Sequence, residues 1–249
     1  LREAEDNIVG VNSNVVVKHT RLMRWIQKAG CEMPRMWRVF GINNSGYICI
    51  DEKWVRLRGN WVYIYLAVDN NTYDLLYIDI YYSNCSKSIR SFLYQLKQMG
   101  VRPKVITTDL LIGYEKTIAE VFPDAVHNQC IFHAEKNAAT IIIKYLQDDA
   151  ENKKYDEVRA IIRKIFASKT AEQVETNIKE LEQYVMTRNN LTPVLEGINR
   201  YKEKLITIIN SPDIPRTNNV VERLISILNA KYKVMKGFNA NIEKETLEN

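Results

Sequence analysis

Two features that define other classes of protein are missing from this sequence of 249 residues: a long apolar run and a set of paired cysteines. No apolar run approaches the roughly 20 residues that a membrane-spanning helix needs, and no secretory signal pattern opens the chain. The four cysteines, Cys31, Cys49, Cys85 and Cys130, are scattered without paired spacing. These absences argue against a membrane protein and against a disulfide framework, so we expect a cytoplasmic protein with reduced thiols.

The composition is that of an ordinary globular protein. Hydrophobic residues make up 46% of the chain and charged residues 26%, which suits one large domain or two smaller ones. The formal net charge of +5 permits a nucleic-acid partner but does not indicate one strongly.

Residues 1–30 predict two helices around a turn. Gly10 supplies turn chemistry, and the second helix carries Lys18, Arg21 and Arg24 before it ends at Gly30. A short helix, a tight turn and a basic second helix outline a helix-turn-helix DNA reader, although any amphipathic helix pair gives a similar pattern. Because the chain begins with Leu rather than Met, we expect this segment to be truncated. Residues 31–46 are predicted to be a linker.

Between residues 47 and 130 the pattern changes to short strands alternating with helices. Strands are predicted at 47–51, 61–68, 73–82, 104–109 and near 125–128. Helices are predicted at 87–99 and 113–121. Turn residues at 69–72 indicate a hairpin. Together these elements predict an α/β fold with a mixed five-stranded sheet and flanking helices.

The rest of the chain is predicted to be helical. In 131–212 apolar residues recur at helical spacing and no strand pattern survives, while 213–249 holds a final helix with Glu222 and a C-terminal tail. Glu222 faces away from the apolar stripe of that helix. One interpretation is a capping box, with Asn219 as the N-cap and Glu222 reaching back to it.

The other interpretation of Glu222 involves two aspartates at predicted strand ends, Asp51 and Asp109. If those strands are parallel neighbours, the two carboxylates lie about 4.8 Å apart at one edge of the sheet. They then repel each other unless a cation sits between them. Mg²⁺ takes oxygen ligands, and Glu222 from a packed helix would complete the set. Each aspartate taken alone is also compatible with a turn or a helix cap.

Three stretches carry a family likeness: "CIDEKW", "VITTDLLIGYEKTIAEVFPDAVHNQCIFHAEKN" and "RTNNVVERLISILNAKYKVMKGF". They resemble the catalytic segments of DDE-class insertion-sequence transposases, especially the Mutator-like group. The resemblance implies a ribonuclease H-like fold, interrupted by an all-α insertion. It also implies that Asp51, Asp109 and Glu222 are catalytic ligands of Mg²⁺, with Mn²⁺ as a substitute.

The same group carries a Cys-x-x-His pair after the second aspartate, matched here by Cys130 and His133. Taken alone, this pair is half of a zinc site without a visible second half, and a buried Cys with a packed His is the simpler interpretation. The resemblance favours a role beside the active site, where the pair would contact DNA or support a ligand. Asn218 and Asn219 are placed in the same supporting role.

The activity that the resemblance implies is cleavage of transposon ends and their transfer to target DNA by two-metal-ion chemistry. The expected partner is double-stranded DNA in the nucleoid, bound by a homodimer or a larger synaptic complex. The basic residues expected to contact DNA are Lys18, Arg21, Arg24, Arg56, Arg58, Arg216, Arg223, Lys231, Lys233 and Lys236. Two alternatives stay open: a structure-selective nuclease on the same fold, and a domesticated DNA-binding regulator without catalysis.

Overall fold

The computed structural model describes most of the chain from residue 44 onwards. The described ranges are 44–57, 59–146, 152–186 and 191–235, with residues 21, 24, 25, 28, 30–32, 35, 36, 39 and 42. The first twenty residues, and with them most of the predicted helix-turn-helix segment, lie outside this description. Residues 30–32 are helical, so the helix predicted to end at Gly30 continues into the predicted linker.

A mixed five-stranded sheet forms the centre of the fold, in the order β3-β2-β1-β4-β5. The strands β1 to β3 pair antiparallel, whereas β4 and β5 join β1 in parallel. Their bounds are β1 Tyr47–Leu57, β2 Asn60–Asp69, β3 Leu75–Tyr81, β4 Val105–Thr108 and β5 Val126–Gln129. The predicted sheet and its β2–β3 hairpin are therefore confirmed.

Helices cover both faces of this sheet, which explains why residues 48–50 of β1 are apolar on both sides. One face packs against α1 (Ser86–Gln98) and α2 (Tyr114–Val121), and its core includes Ile50 and Phe92. The opposite face packs against α7 (Asn219–Met235), through the fully buried Val221. Burying each large apolar side chain stabilises the fold by roughly 1.5–3 kcal/mol.

Four further helices follow β5 in the sequence and form a block with an apolar core of their own. They are α3 Ile131–Leu146, α4 Asn152–Ala167, α5 Ala171–Met186 and α6 Thr192–Asn210. A capping arrangement opens α5, because the Gln173 N–H donates to Thr170 Oγ1 at 3.2 Å while Gln173 Oε1 accepts from the Lys169 N–H at 2.9 Å. No helix in the described ranges is long and apolar enough to cross a bilayer.

One predicted boundary is wrong in a way that matters for the site. Asp51 lies in the middle of β1 and not at its end, because β1 runs on to Leu57 as one arm of a hairpin with β2. The turn of this hairpin contains Gly59 at a φ of 83°, a conformation that glycine adopts without strain. Backbone pairing to β2 holds the polar residues after Asp51 in strand conformation.

Candidate metal and nucleic-acid site

Asp51 and Asp109 lie side by side where β4 ends. In the parallel pairing of β1 with β4, Cys49 is opposite Thr107, and each aspartate follows two residues later. Asp109, the first residue after β4, is therefore level with Asp51 on β1. Oxygen atoms of Asp51, Asp109 and Glu52 all lie within 4.8 Å of one another, close enough to hold one metal ion. We call these three residues the carboxylate cluster.

Hydrogen bonds fix the two aspartates. Asp51 Oδ1 accepts from the Glu52 N–H at 2.8 Å, and Asp51 Oδ2 accepts from Asn218 Nδ2 at 3.2 Å. Asp109 Oδ1 accepts from the Leu111 N–H at 3.0 Å. The aspartate side chains are thus oriented by the protein itself, as a site for an ion requires.

Glu52 is the member of the cluster that the sequence did not indicate. Strand alternation puts consecutive side chains on opposite faces, which argues against Asp51 and Glu52 acting together. Glu52 is held on the α1/α2 side by Asn84 Nδ2 at 3.1 Å and by the hydroxyl of Tyr114, also at 3.1 Å. Its carboxylate meets the aspartates because β4 pairs with β1 only as far as Cys49, which leaves the strand uncovered beyond that point.

The electrostatics of the cluster favour a bound cation. Burial, together with the charges of Asp109 and Glu52, raises the pKa of Asp51 to about 8. Burial likewise raises the pKa of Asp109 and that of Glu52. Within the described ranges no Lys or Arg forms an ion pair with any of the three. Among the described residues, therefore, no Lys or Arg balances their negative charge.

Glu222 lies next to this cluster but belongs to a second one. Its Oε1 is 3.7 Å from His133 Nδ1, and ligand atoms of Cys130, His133 and Glu222 all lie within 4.8 Å of one another. We call these three residues the Cys-His-Glu cluster. The charge of Glu222 also raises the pKa of Asp51, as the smallest of its causes. The structure therefore brings Asp51 and Asp109 together and holds Glu222 in the adjacent group.

The capping-box interpretation of Glu222 is wrong. The N–H groups of Val221 and Glu222 donate to the carbonyl of Asn218 at 3.1 and 3.2 Å, so Asn218 and not the exposed Asn219 occupies the N-cap position. Glu222 Oε1 is buried without a hydrogen-bond partner. Asn218 and Glu222 are one helical turn apart and share the face of α7 that is turned to the carboxylate cluster.

A short segment before α7 explains how residues so distant in sequence reach the sheet. Asn128 Nδ2 donates to the Pro215 carbonyl at 2.7 Å, and the Ile131 N–H donates to the Arg216 carbonyl at 3.0 Å. Two residues after Arg216, Asn218 donates its hydrogen bond to Asp51. These contacts tie the start of α7 to β5, α3 and β1 in turn.

The predicted DNA-contacting residues have different surroundings. Arg56 lies on the exposed part of the β1–β2 hairpin, with its guanidinium carbon 5.0 Å from the Trp61 ring centroid. Arg216 instead donates Nη2 to the Phe166 carbonyl at 3.0 Å, which gives it a structural contact. Exposed positions are found for Arg21, Arg24 and Arg223. The side chains of Lys18, Arg58, Lys231, Lys233 and Lys236 lie outside the described set.

The arrangement is that of an α/β protein with an acidic site beside the C-terminal end of β4, in the middle of a mixed sheet. The sequence model of the family described as "Transposase, Mutator family" matches residues 39–241, most of the chain, and the protein belongs to this family.

Comparison with other proteins adds little to the family assignment. No curated protein matches the chain. A similar solved structure is the cryo-EM structure of the simian T-cell lymphotropic virus intasome in complex with PP2A regulatory subunit B56 gamma. It has 16% identity and a TM-score of 0.31, with 43% of this chain and 45% of that chain covered. The present chain thus spans less than half the length of that relative.

Proposed function

We propose that this protein is a DDE transposase with a ribonuclease H-like catalytic domain, interrupted by α3 to α6 as an all-helical insertion. It would cut transposon ends and join them to target DNA by metal-dependent phosphodiester chemistry. The observation that carries the proposal is the meeting of Asp51 and Asp109 at one sheet edge, with α7 bonded to Asp51 through Asn218. Membership of the Mutator family supports it.

The residues at this edge fit a hard divalent cation such as Mg²⁺ or Mn²⁺. The donor set consists of carboxylate oxygens, which such ions prefer. Two buried acceptors near this edge, Asn218 Oδ1 and Glu222 Oε1, have no hydrogen-bond partner, and coordination to a cation is one way to satisfy such an atom. When bound, a pair of such ions activates the attacking oxygen and stabilises the leaving oxygen of a phosphoryl displacement.

The side chains have separable roles in this proposal. Asp51, Asp109 and Glu222 hold the ions, and Asn218 orients the Asp51 carboxylate. Glu52, oriented by Asn84 and Tyr114, adds a further negative charge. A first displacement frees a 3′-hydroxyl at the transposon end, and a second joins that hydroxyl to a target phosphodiester. Neither step needs a covalent bond between protein and DNA.

A surface for DNA extends from the carboxylate cluster along the β1–β2 hairpin. Trp54 and Trp61 are 50% and 46% exposed and lie edge to face at 6.2 Å, beside the guanidinium of Arg56. Exposed aromatic rings can stack on unpaired bases, and cations bind phosphates. We propose double-stranded DNA as the partner, bound by a homodimer or larger complex that brings two transposon ends together.

The test is a cleavage and strand-transfer assay with Mg²⁺ or Mn²⁺ on DNA ends from the inverted repeats that flank the source gene. The wild type is compared with Glu222→Gln and with the matched control Glu196→Gln, an exposed glutamate on α6. We expect joined products from the wild type and the control, and none from Glu222→Gln. Nicked products without joints would indicate the nuclease instead. DNA that is bound but uncut would indicate the regulator.

A further inference from the structure

The Cys-His-Glu cluster differs in chemistry from the carboxylate cluster beside it. Cys130 is fully buried just before α3, and His133 follows three residues later on the same helical face. Glu222 supplies the third group from α7. The two facing atoms, His133 Nδ1 and Glu222 Oε1, are both buried and both lack a hydrogen-bond partner. Two such unpartnered atoms 3.7 Å apart leave a polar gap that a cation would fill.

We propose that Cys130, His133 and Glu222 bind a thiophilic divalent transition-metal ion such as Zn²⁺. In a tetrahedral site with bonds of about 2.0–2.3 Å, neighbouring ligand atoms lie roughly 3.3–3.8 Å apart. The His133–Glu222 distance of 3.7 Å falls in that range, and the remaining separations, all within 4.8 Å, need to close by about 1 Å at most. Three protein ligands leave the fourth position open.

Cysteine binds a metal ion in its thiolate form. Burial raises the pKa of the Cys130 thiol, and the backbone N–H groups of His133, Asn218 and Phe132 partly oppose that rise. Donors of this kind at the start of a helix stabilise a negative sulfur. A bound cation would offset the electrostatic cost of burying the thiolate. Thiolate and imidazole select Zn²⁺, whereas the neighbouring carboxylates select Mg²⁺.

Sharing of Glu222 gives the site a consequence for activity, and this part rests on the proposed function. An ion held by Cys130 and His133 would keep the Glu222 carboxylate on their side and away from Asp51 and Asp109. Zn²⁺ would then inhibit cleavage supported by Mg²⁺. The ratio of activity with and without Zn²⁺, measured within each variant, reports this effect even if a variant changes the basal rate.

The binding test uses Co²⁺ as a spectroscopic substitute for Zn²⁺ and the full chain carrying Cys31→Ser and Cys85→Ser, which removes the two exposed thiols. We expect one equivalent of Co²⁺ to give a thiolate-to-cobalt charge-transfer band that Zn²⁺ abolishes. Adding Cys130→Ser should remove the band. The matched control Cys49→Ser, a buried thiol outside the cluster, should retain it. His133→Ala should weaken binding by about 100-fold or more, since even changes behind a ligand cost 10–100-fold.

Absence of the band, or its persistence after Cys130→Ser, would overturn the proposed site. Circular dichroism of each variant shows whether a lost band reflects unfolding, and His133→Ala provides a second route if Cys130→Ser does not fold. The outcome is independent of transposition, because the spectrum needs no DNA. A Co²⁺ site in a protein without strand-transfer activity would leave this inference standing and refute the proposed function.

Discussion

Replacement of Asp51 by asparagine should stabilise the metal-free protein at pH 8 and abolish its stabilisation by Mg²⁺. The wild type buries a carboxylate between two others, with no Lys or Arg paired to it in the described ranges. An amide of the same shape removes the charge and retains part of the hydrogen bonding. Replacing a residue that lowers stability but binds an ion is expected to raise the stability of the metal-free protein and to remove the effect of the ion.

The raised pKa of Asp51 gives the size of the expected stabilisation by Asp51→Asn. It rises from 3.8 to about 8, which corresponds to an upper limit of about 6 kcal/mol. An amide has one acceptor oxygen where the carboxylate has two, so the bond from Glu52 or from Asn218 is lost at about 1 kcal/mol. Relaxation and water entry reduce the remainder to roughly 2–4 kcal/mol, or about 5–10 °C in melting temperature.

The way in which folding stability changes with pH follows from the rise in the pKa of Asp51. A carboxyl group whose pKa is higher in the folded state contributes stability below its unfolded pKa, and this contribution is lost as pH rises towards the folded value. The wild type should therefore weaken between about pH 4 and pH 8. The variant should weaken less, and its remaining slope combines the effects of Asp109 and Glu52 with the opposite effect of His127.

Thermal unfolding at pH 5, 6.5 and 8, with and without Mg²⁺, measures all of these quantities. The matched control is Asp79→Asn on β3, because Asp79 Oδ1 also accepts the N–H of the next residue at 2.8 Å but lies outside the carboxylate cluster. The control should keep the Mg²⁺ response of the wild type. If Asp51→Asn melts below the wild type at pH 8 without metal, or responds fully to Mg²⁺, the electrostatic argument is refuted.

Two further predictions concern His127 on β5 and the β1–β2 hairpin. Burial lowers the pKa of His127 from 6.5 to about 4, so stability should fall as pH drops across that window, by up to about 3 kcal/mol. His127→Gln, which can still bond Thr108 Oγ1, should flatten the fall in urea denaturation at pH 7 and 4.5, and an unchanged slope would contradict this. Trp61→Ala should weaken the binding of DNA ends with unpaired bases, measured by fluorescence anisotropy, by about 1–3 kcal/mol for each base that loses its stacking partner. Tyr73→Ala, beyond the opposite end of β2, should not, and equal losses would argue against the hairpin surface.

Much of the fold is encoded locally. Short apolar runs predicted the strands, and the turn residues at 69–72 predicted the β2–β3 hairpin, because both depend on neighbours in the chain. The closeness of Asp51 and Asp109 also followed from the order of elements, since parallel strands place corresponding residues side by side. The outward face of Glu222 followed from helical periodicity alone.

Other features depend on contacts between distant segments, which periodicity cannot reveal. Strand alternation predicts that Glu52 and Asp51 lie on opposite faces of β1. Their carboxylates come close together because the pairing of β1 with β4 stops at Cys49. Likewise, the segment before α7 had to bond to β5 and α3 before Glu222 could lie beside His133. The sequence by itself determined which groups are present and which face each one takes. The tertiary structure decided which of them share a site, because that depends on where chain segments far apart in sequence come together.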